Sequence, residues 1–338
     1  FRHVIGIVHT NYQVYLAGMG YEGLLSNESV RDSLLLSFTS LVCSAYCDVT
    51  MKLSSAGVSL PNDVICNVHG VRQEFLQIGR AEPSASRGDT RGHDKADIYF
   101  VGKAVFPKGW AELLRLLEGA GGKLADLRID GFGSGADFEE ICEQAAGLQQ
   151  KGLARLSVHP EVDHADDSLR SCSVLVNPST SEILCTVTAE ALAMRKRVVL
   201  PRHPSNRFFI DNFADRVHLF EPNSATSFEE ALRGALAAGL PEPLTDRQSE
   251  MLSWEAAIER LLSAAEVHVL SGPVSRPSEV RSSRLAYEVH HGIQKDTPSL
   301  SKMLKDATLK SRSPWAETLA QWRETEYGRL LLDQVWQP

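Results

Sequence analysis

Short apolar runs bounded by polar or glycine positions recur along the chain, and between them lie stretches with apolar residues at helical spacing. The runs at 4–8, 49–53 and 64–68 read as buried parallel strands, because a strand covered on both faces needs no polar alternation. Residues 32–48, rich in Leu, Phe and Val and framed by acids, read as a helix: either a core helix of a layered domain or an interfacial membrane helix. Residues 79–95 are polar, with Pro83, Ser84, Ser86, Gly88 and Gly92, and have the character of a linker. Beyond them the pattern becomes regular. Strands are predicted at 98–101, 127–131, 174–176 and 198–200, and helices at 110–118, 138–150 and 187–193. Two more helical patterns follow at 227–238 and 253–265. Alternation of this kind predicts an α/β fold with a doubly wound parallel sheet. A Pro- and Ser-rich stretch at 271–283 closes this part, and 315–336 reads as an amphipathic helix in a charged, weakly periodic tail.

The resulting division is 1–80 as the remainder of an N-terminal Rossmann-like domain, 81–95 as linker, 96–267 as a second Rossmann-like domain, and 268–338 as a tail, partly helical or disordered. Two domains suit 338 residues, since single cores stop growing near about 250 to 300 residues. With 43% hydrophobic and 23% charged residues the composition is that of a folded enzyme. The net charge of −8 argues against a nucleic-acid partner, which would need a basic face, so an anionic ligand must be met by a few placed cations. Six cysteines stand far apart without metal-ligand spacing and read as free thiols in a reducing compartment. No apolar run is long enough to span a membrane. The chain opens at Phe1 directly into a strand-like run, so a piece or processed form of a longer protein is expected.

In open parallel sheets ligands bind beyond the carboxyl ends of the strands, which gives the residues after each strand the most weight. After the strand at 98–101 come Gly102-Lys103 and then Pro107-Lys108-Gly109, opening a helix. Glycines admit a close ligand, two lysines neutralise a diphosphate, and a helix N-terminus adds amide donors. Taken alone, the same residues fit a solvated surface turn. After the next strand comes Gly131-Phe132-Gly133-Ser134-Gly135, a tight turn near a bulky ligand or a purely structural one; its spacing departs from the dinucleotide fingerprint and disfavours a pyridine dinucleotide. The third place is Asn177-Pro178-Ser179-Thr180-Ser181-Glu182 and the helix carrying Glu190. Such a carboxylate pair suits the vicinal diols of a nucleoside sugar, although an acid at a helix start also serves the helix dipole.

In this order and spacing, Gly102-Lys103, Lys108-Gly109, the glycine turn, Pro178-Ser179, Glu182 and Glu190 resemble the nucleotide-sugar half of the family-four retaining glycosyltransferases, over about residues 96–267. The strings VIGIVHTNY, VICNVHGV, DHADDSL, LCTVTAEALAM, HPSN and LSWEAA resemble, more narrowly, the digalactosyldiacylglycerol synthases. The resemblance implies a GT-B fold, two Rossmann-like domains facing a cleft, with the N-terminal one incomplete in this chain. It implies transfer of galactose from UDP-galactose to monogalactosyldiacylglycerol with retention, peripheral contact with the chloroplast outer envelope membrane, and no cofactor or metal. By the same resemblance Lys103 and Lys108 hold the diphosphate, Glu182 lies at the sugar and Glu190 at the ribose diol. His9 faces the donor sugar, and Gly102, Gly109, Gly131, Gly133, Ser179 and Thr186 line the donor. Lys103 stands where arginine is usual, and Arg195 where the helix usually ends in glycine. His69, His164, Asp166, Asp167 and His203 read equally as capping or loop-fixing residues. A different UDP-sugar or acceptor, or a non-catalytic binding relative, stays open at this level.

Overall fold

The computed structural model describes residues 4–9, 36, 39–40, 43–44, 46–60, 62–81 and 97–271. The linker, apart from Ala81, and the tail beyond residue 271 lie outside the described residues, as does most of the helix expected at 32–48. The chain divides into two compact units, one of residues 1–6, 20–48 and 272–338, the other of residues 7–19 and 49–271. In the first, Val4 and Asp48 are tied by two hydrogen bonds: the Val4 N–H donates to Asp48 Oδ2 at 2.7 Å and the Asp48 N–H to the Val4 carbonyl at 2.8 Å.

The second unit holds the functional architecture. Strand β1 (Ile5–Val8) begins in the first unit and ends in the second, in which β2 (Val49–Lys52) and β3 (Asp63–Ile65) pair in parallel and are followed by helix α1 (Gln73–Arg80). Then come β4 (Ile98–Val101), α2 (Trp110–Gly119), β5 (Arg128–Phe132), α3 (Phe138–Gln150), β6 (Arg155–His159), α4 (Asp167–Arg170), β7 (Val174–Val176) and α5 (Thr186–Ala193). The unit ends with β8 (Arg197–Pro201), α6 (Arg207–Asn212), β9 (Val217–Phe220), α7 (Ala225–Ala237), α8 (Asp246–Met251) and α9 (Trp254–Ser271).

The six strands β4 to β9 pair in parallel in the order β6-β5-β4-β7-β8-β9. This is a doubly wound sheet whose strand order reverses between β4 and β7, the point at which such folds open a crevice at their carboxyl edge. The central strands are buried but for the partly covered Val101 at the end of β4, which is why Ile98–Val101 and Val174–Val176 appear in the sequence as unbroken apolar runs. Two apolar clusters cover the faces: one is built on Phe100, Trp110, Leu113, Leu117 and Phe228, the other on Phe75, Tyr99, Leu175, Leu192 and Phe209.

Two strands were not anticipated by the hydrophobic pattern. β6 and β9 are the edges of the sheet, only partly buried, and read Arg-Leu-Ser-Val-His and Val-His-Leu-Phe. An edge strand needs no continuous apolar run, so its signal is broken by polar side chains. α9 also continues past the expected end at residue 265.

Candidate active site

The loops after β4, β5 and β6 are laced together by backbone bonds that prolong the parallel ladder beyond the strands. The Gly102 N–H donates to the Phe132 carbonyl (3.1 Å), the Ala104 N–H to that of Ser134 (3.0 Å) and the Gly133 N–H to that of His159 (3.0 Å). Glycine is required here by the protein's own chain. A Cβ on Gly133 would lie 2.0 Å from the Gly102 carbonyl oxygen, one on Gly135 2.4 Å from that of Ala104, and one on Gly131 2.7 Å from the Trp110 ring. The fully buried Trp110 in turn clamps the β4 loop, its indole N–H shared between the carbonyls of Lys103 (3.1 Å) and Gly102 (3.3 Å). Lys103 is thereby fixed at the rim through its backbone while its side chain is exposed.

Lys108 ends a single turn of 3-10 helix, and Gly109 behind it takes φ +100°, a left-handed conformation that favours glycine, before α2 begins. The Ser179 Cβ would lie 3.2 Å from a Cβ at Gly109, so the β4 and β7 loops touch across the switch point. The Ser181 hydroxyl donates to the Pro107 carbonyl at 2.5 Å and lies 3.0 Å from the Ser179 hydroxyl. The Lys108 ammonium donates to Glu182 Oε1 at 3.0 Å, with both side chains about three-quarters buried. Two residues 74 positions apart are thus brought into one ion pair at the crevice floor. Thr186 opens α5 with its side chain exposed, and no side chain caps this helix N-terminus.

Glu190, one turn into α5, pairs with His164: its Oε2 is 2.6 Å from His164 Nδ1, in the loop after β6. The carboxylate raises the His164 pKa above its ordinary value, outweighing the opposing effect of burial. Next to it, Asp163 accepts both Arg72 guanidinium N–H bonds, at 2.7 and 3.3 Å, while Arg72 lies 4.6 Å over the Phe75 ring. Asp166 caps α4 through the Ser168 N–H, and His203 Nδ1 accepts from the Ser205 N–H at 3.3 Å. These are the loop-fixing roles open to them from sequence. The His164–Glu190 pair and Arg72 were not foreseen: the pair joins residues 26 apart in the chain, and nothing local to Arg72 marks it.

His9 lies against His69, with 3.2 Å between ring nitrogens, and His69 is edge-on to Trp254 at 6.0 Å between ring centroids. Burial, reinforced by His9, lowers the His69 pKa. The Asn67-Val68-His69-Gly70 loop packs on the start of α9: a Cβ on Gly70 would lie 2.5 Å from the Trp254 backbone, and Arg260 donates to the Asn67 carbonyl at 2.8 Å. Two of the sequence strings singled out above, VICNVHGV and LSWEAA, therefore pack against each other. Arg195 adopts φ +63°, a conformation suited to glycine, and its Nε donates to the Pro241 carbonyl at 2.7 Å.

None of the six cysteines forms a disulfide. Burial pushes Cys172 up to about 11 and Cys185 up to about 12, so both remain neutral thiols. Among the described residues no group of three or more His, Cys, Asp or Glu side chains is placed to hold a metal ion, and no helix is long and apolar enough to cross a membrane.

Residues 84–250 match the family described as Glycosyl transferases group 1. Digalactosyldiacylglycerol synthase 1, chloroplastic, of Lotus japonicus is 40% identical over 268 residues, which is 79% of this chain and 32% of the relative. Synthase 2, chloroplastic, of the same plant is 37% identical over 284 residues (84% and 56%), and that of Arabidopsis thaliana 38% over 271 residues (80% and 54%). The chain thus spans about a third of the length of the first relative and about half that of the other two. Among solved structures, Anabaena HepE, in complex with UDP and glucose, superposes with a TM-score of 0.57 at 12% identity, over 78% of this chain and 71% of that one. TarM superposes with a TM-score of 0.52 at 15% identity, over 77% and 49%. The α/β fold of the GT-B kind expected from the sequence is the fold of these neighbours. Residues 84–250 are thus similar to a group 1 glycosyl transferase domain, and the chain is similar to the digalactosyldiacylglycerol synthases over 79–84% of its own length.

Proposed function

We propose that the protein transfers galactose from UDP-galactose to monogalactosyldiacylglycerol with retention, giving digalactosyldiacylglycerol, in peripheral contact with the chloroplast outer envelope membrane. The observation that carries this reading is the Lys108–Glu182 pair at the switch point between β4 and β7, on a chain related to these synthases. Lys108, which pairs with Glu182 in the free protein, is the cation placed for the donor diphosphate. Glu182 then orients the cation and faces the galactosyl hydroxyls. Lys103, on its clamped loop, and the uncapped amides at the start of α5 add positive potential for the phosphates. Ser179, Thr186 and the glycines Gly102, Gly109, Gly131 and Gly133 shape the donor crevice around them.

In the reaction the bond between the anomeric carbon and the β-phosphate oxygen breaks, the acceptor hydroxyl oxygen bonds the same carbon on the same face, and its proton passes to the departing phosphate. Negative charge grows on that phosphate as the sugar gains oxocarbenium character. Preorganised cations stabilise it by about 3 kcal/mol per donor, the size of an oxyanion-hole contact. No metal or cofactor is needed in this scheme. His9 serves the donor sugar as a hydrogen-bonding imidazole.

The test is a product assay with labelled UDP-galactose and monogalactosyldiacylglycerol in mixed micelles, with the anomeric configuration of the new linkage read by NMR. An α-linked digalactolipid is expected. Label transferred only from UDP-glucose, or only to soluble acceptors, would overturn the substrate assignment, and failure to bind UDP would overturn the enzymatic reading.

A further inference from the structure

The loop after β6 carries a chain of charged contacts that the reaction scheme does not use. Arg72 holds Asp163 bidentately, and Asp163 also accepts the Ala165 N–H at 2.8 Å, closing a turn around His164. On the other side Asp166 caps α4. His164 is therefore pinned at both flanks, and its Nδ1 reaches Glu190 Oε2 at 2.6 Å. About a third of the His164 side chain and a sixth of that of Glu190 remain exposed, so the pair stands at the rim of the crevice rather than in the core.

We propose that His164 is a positioning residue for donor recognition: it fixes the Glu190 carboxylate so that its remaining lone pairs face the ribose diol of a uridine nucleotide, and Arg72 and Asp163 fix His164 in turn. The proposal rests on the placement of Glu190 at the ribose. A carboxylate offers about four acceptor sites, and His164 occupies one. Left without that contact, a glutamate on a helix surface samples several rotamers, and ordering it on binding costs free energy that reappears as weaker recognition of the hydroxyls. The charged groups facing His164 are Glu190 from α5, Asp163 from its own loop and Arg72 at the start of α1. Glu190 and Asp163 favour the imidazolium and Arg72 opposes it, so the pair is charge-assisted and correspondingly strong.

The experiment compares UDP with 2′-deoxy-UDP by titration calorimetry, in the parent protein and in His164→Ala, His164→Asn and Glu190→Gln variants. Asparagine places its amide nitrogen where Nδ1 stands in histidine and keeps the donor. The parent should prefer UDP by roughly tenfold, the worth of one hydrogen bond to a charged acceptor. His164→Ala should collapse this preference to within about threefold, with thermal unfolding confirming that it is folded, and His164→Asn should restore most of it. A preference unchanged in His164→Ala but lost in Glu190→Gln would overturn the role of His164 alone. A parent protein that binds UDP without discriminating against the deoxy form would instead overturn the placement of Glu190 at the ribose, and the proposal with it.

Discussion

Gly133→Ala separates two reasons for a glycine-rich turn beside a ligand site. The added methyl carbon would lie 2.0 Å from the Gly102 carbonyl oxygen and 3.1 Å from its carbon, whereas carbon and oxygen settle at about 3.3 Å or more. The β4 and β5 loops must then part by more than about 1 Å. Both partners are backbone, with no flexible side chain to yield. Parting strains the two bonds that join these loops, from the Gly102 N–H to the Phe132 carbonyl at 3.1 Å and from the Ala104 N–H to that of Ser134 at 3.0 Å. At about 1 kcal/mol net per bond the loss is about 2 kcal/mol, equivalent to a fall in Tm of roughly 4–8 °C for a unit of this size. Gly147→Ala supplies the control: it lies in helix α3, a Cβ there meets nothing within 4 Å, and alanine should stabilise by about 0.5–1 kcal/mol. Urea unfolding followed by circular dichroism gives both numbers, and UDP titration shows whether displacing the Lys103 loop weakens the donor site. If Gly133→Ala lowers UDP affinity while leaving stability within about 0.5 kcal/mol of the parent, the glycine answers to the ligand and the packing argument is refuted.

Lys108→Ala should reduce galactosyl transfer by about 10²-fold or more while the protein stays folded; transfer at the parental rate would remove the diphosphate role. Lys196 is buried to 2% exposure, and its ammonium donates to the carbonyls of Leu169, Arg170 and Cys172. Lys196→Met leaves these carbonyls without their donor and should cost about 2–4 kcal/mol in urea unfolding. The His164 pKa is raised in the folded protein, so its contribution is complete below the ordinary imidazole value near 6.5 and is lost as pH rises through the folded value. The stability advantage of the parent over His164→Asn should shrink as pH rises above about 6.5, and a constant difference would contradict the ion pair. His69 behaves oppositely: its folded pKa is lowered, the unfolded chain binds the proton first, and stability falls as pH drops below about 6.5. Removing that slope in His69→Asn is the check.

The central strands and most helices were legible because burial on both faces writes itself into the sequence: Ile98–Val101, Val174–Val176 and Phe138–Gln150 end where the pattern predicts. The edge strands β6 and β9 were not, since a strand with one open side tolerates Arg155, Ser157 and His218 within it. The glycines of the β5 turn were visible as a motif but not in their reason. A sequence shows that the backbone comes close to something, and only the fold shows that the something is Trp110 and the β4 loop.

For the site itself, residue types and order were readable, while the pairing was not. Lysines after one strand and glutamates after another suggested cations for phosphate and carboxylates for hydroxyls, each kept to its own task. The fold gives a different arrangement in the free protein: Lys108 holds Glu182, and Glu190 is held by His164. The difference follows from the strand order. Because β4 and β7 are neighbours in space and separated in sequence, the loops that follow them face each other, and Lys108 and Glu182 on those loops pair. Such mutual holding keeps the carboxylates and the ammonium ordered before the donor arrives. On the proposed reading, a diphosphate entering the crevice meets groups already aimed and competes with Glu182 for Lys108. Glu182→Gln should therefore tighten UDP binding while slowing galactosyl transfer, whereas loss of a carboxylate that only repels would raise both, and loss of one that only recognises the sugar would leave UDP binding unchanged.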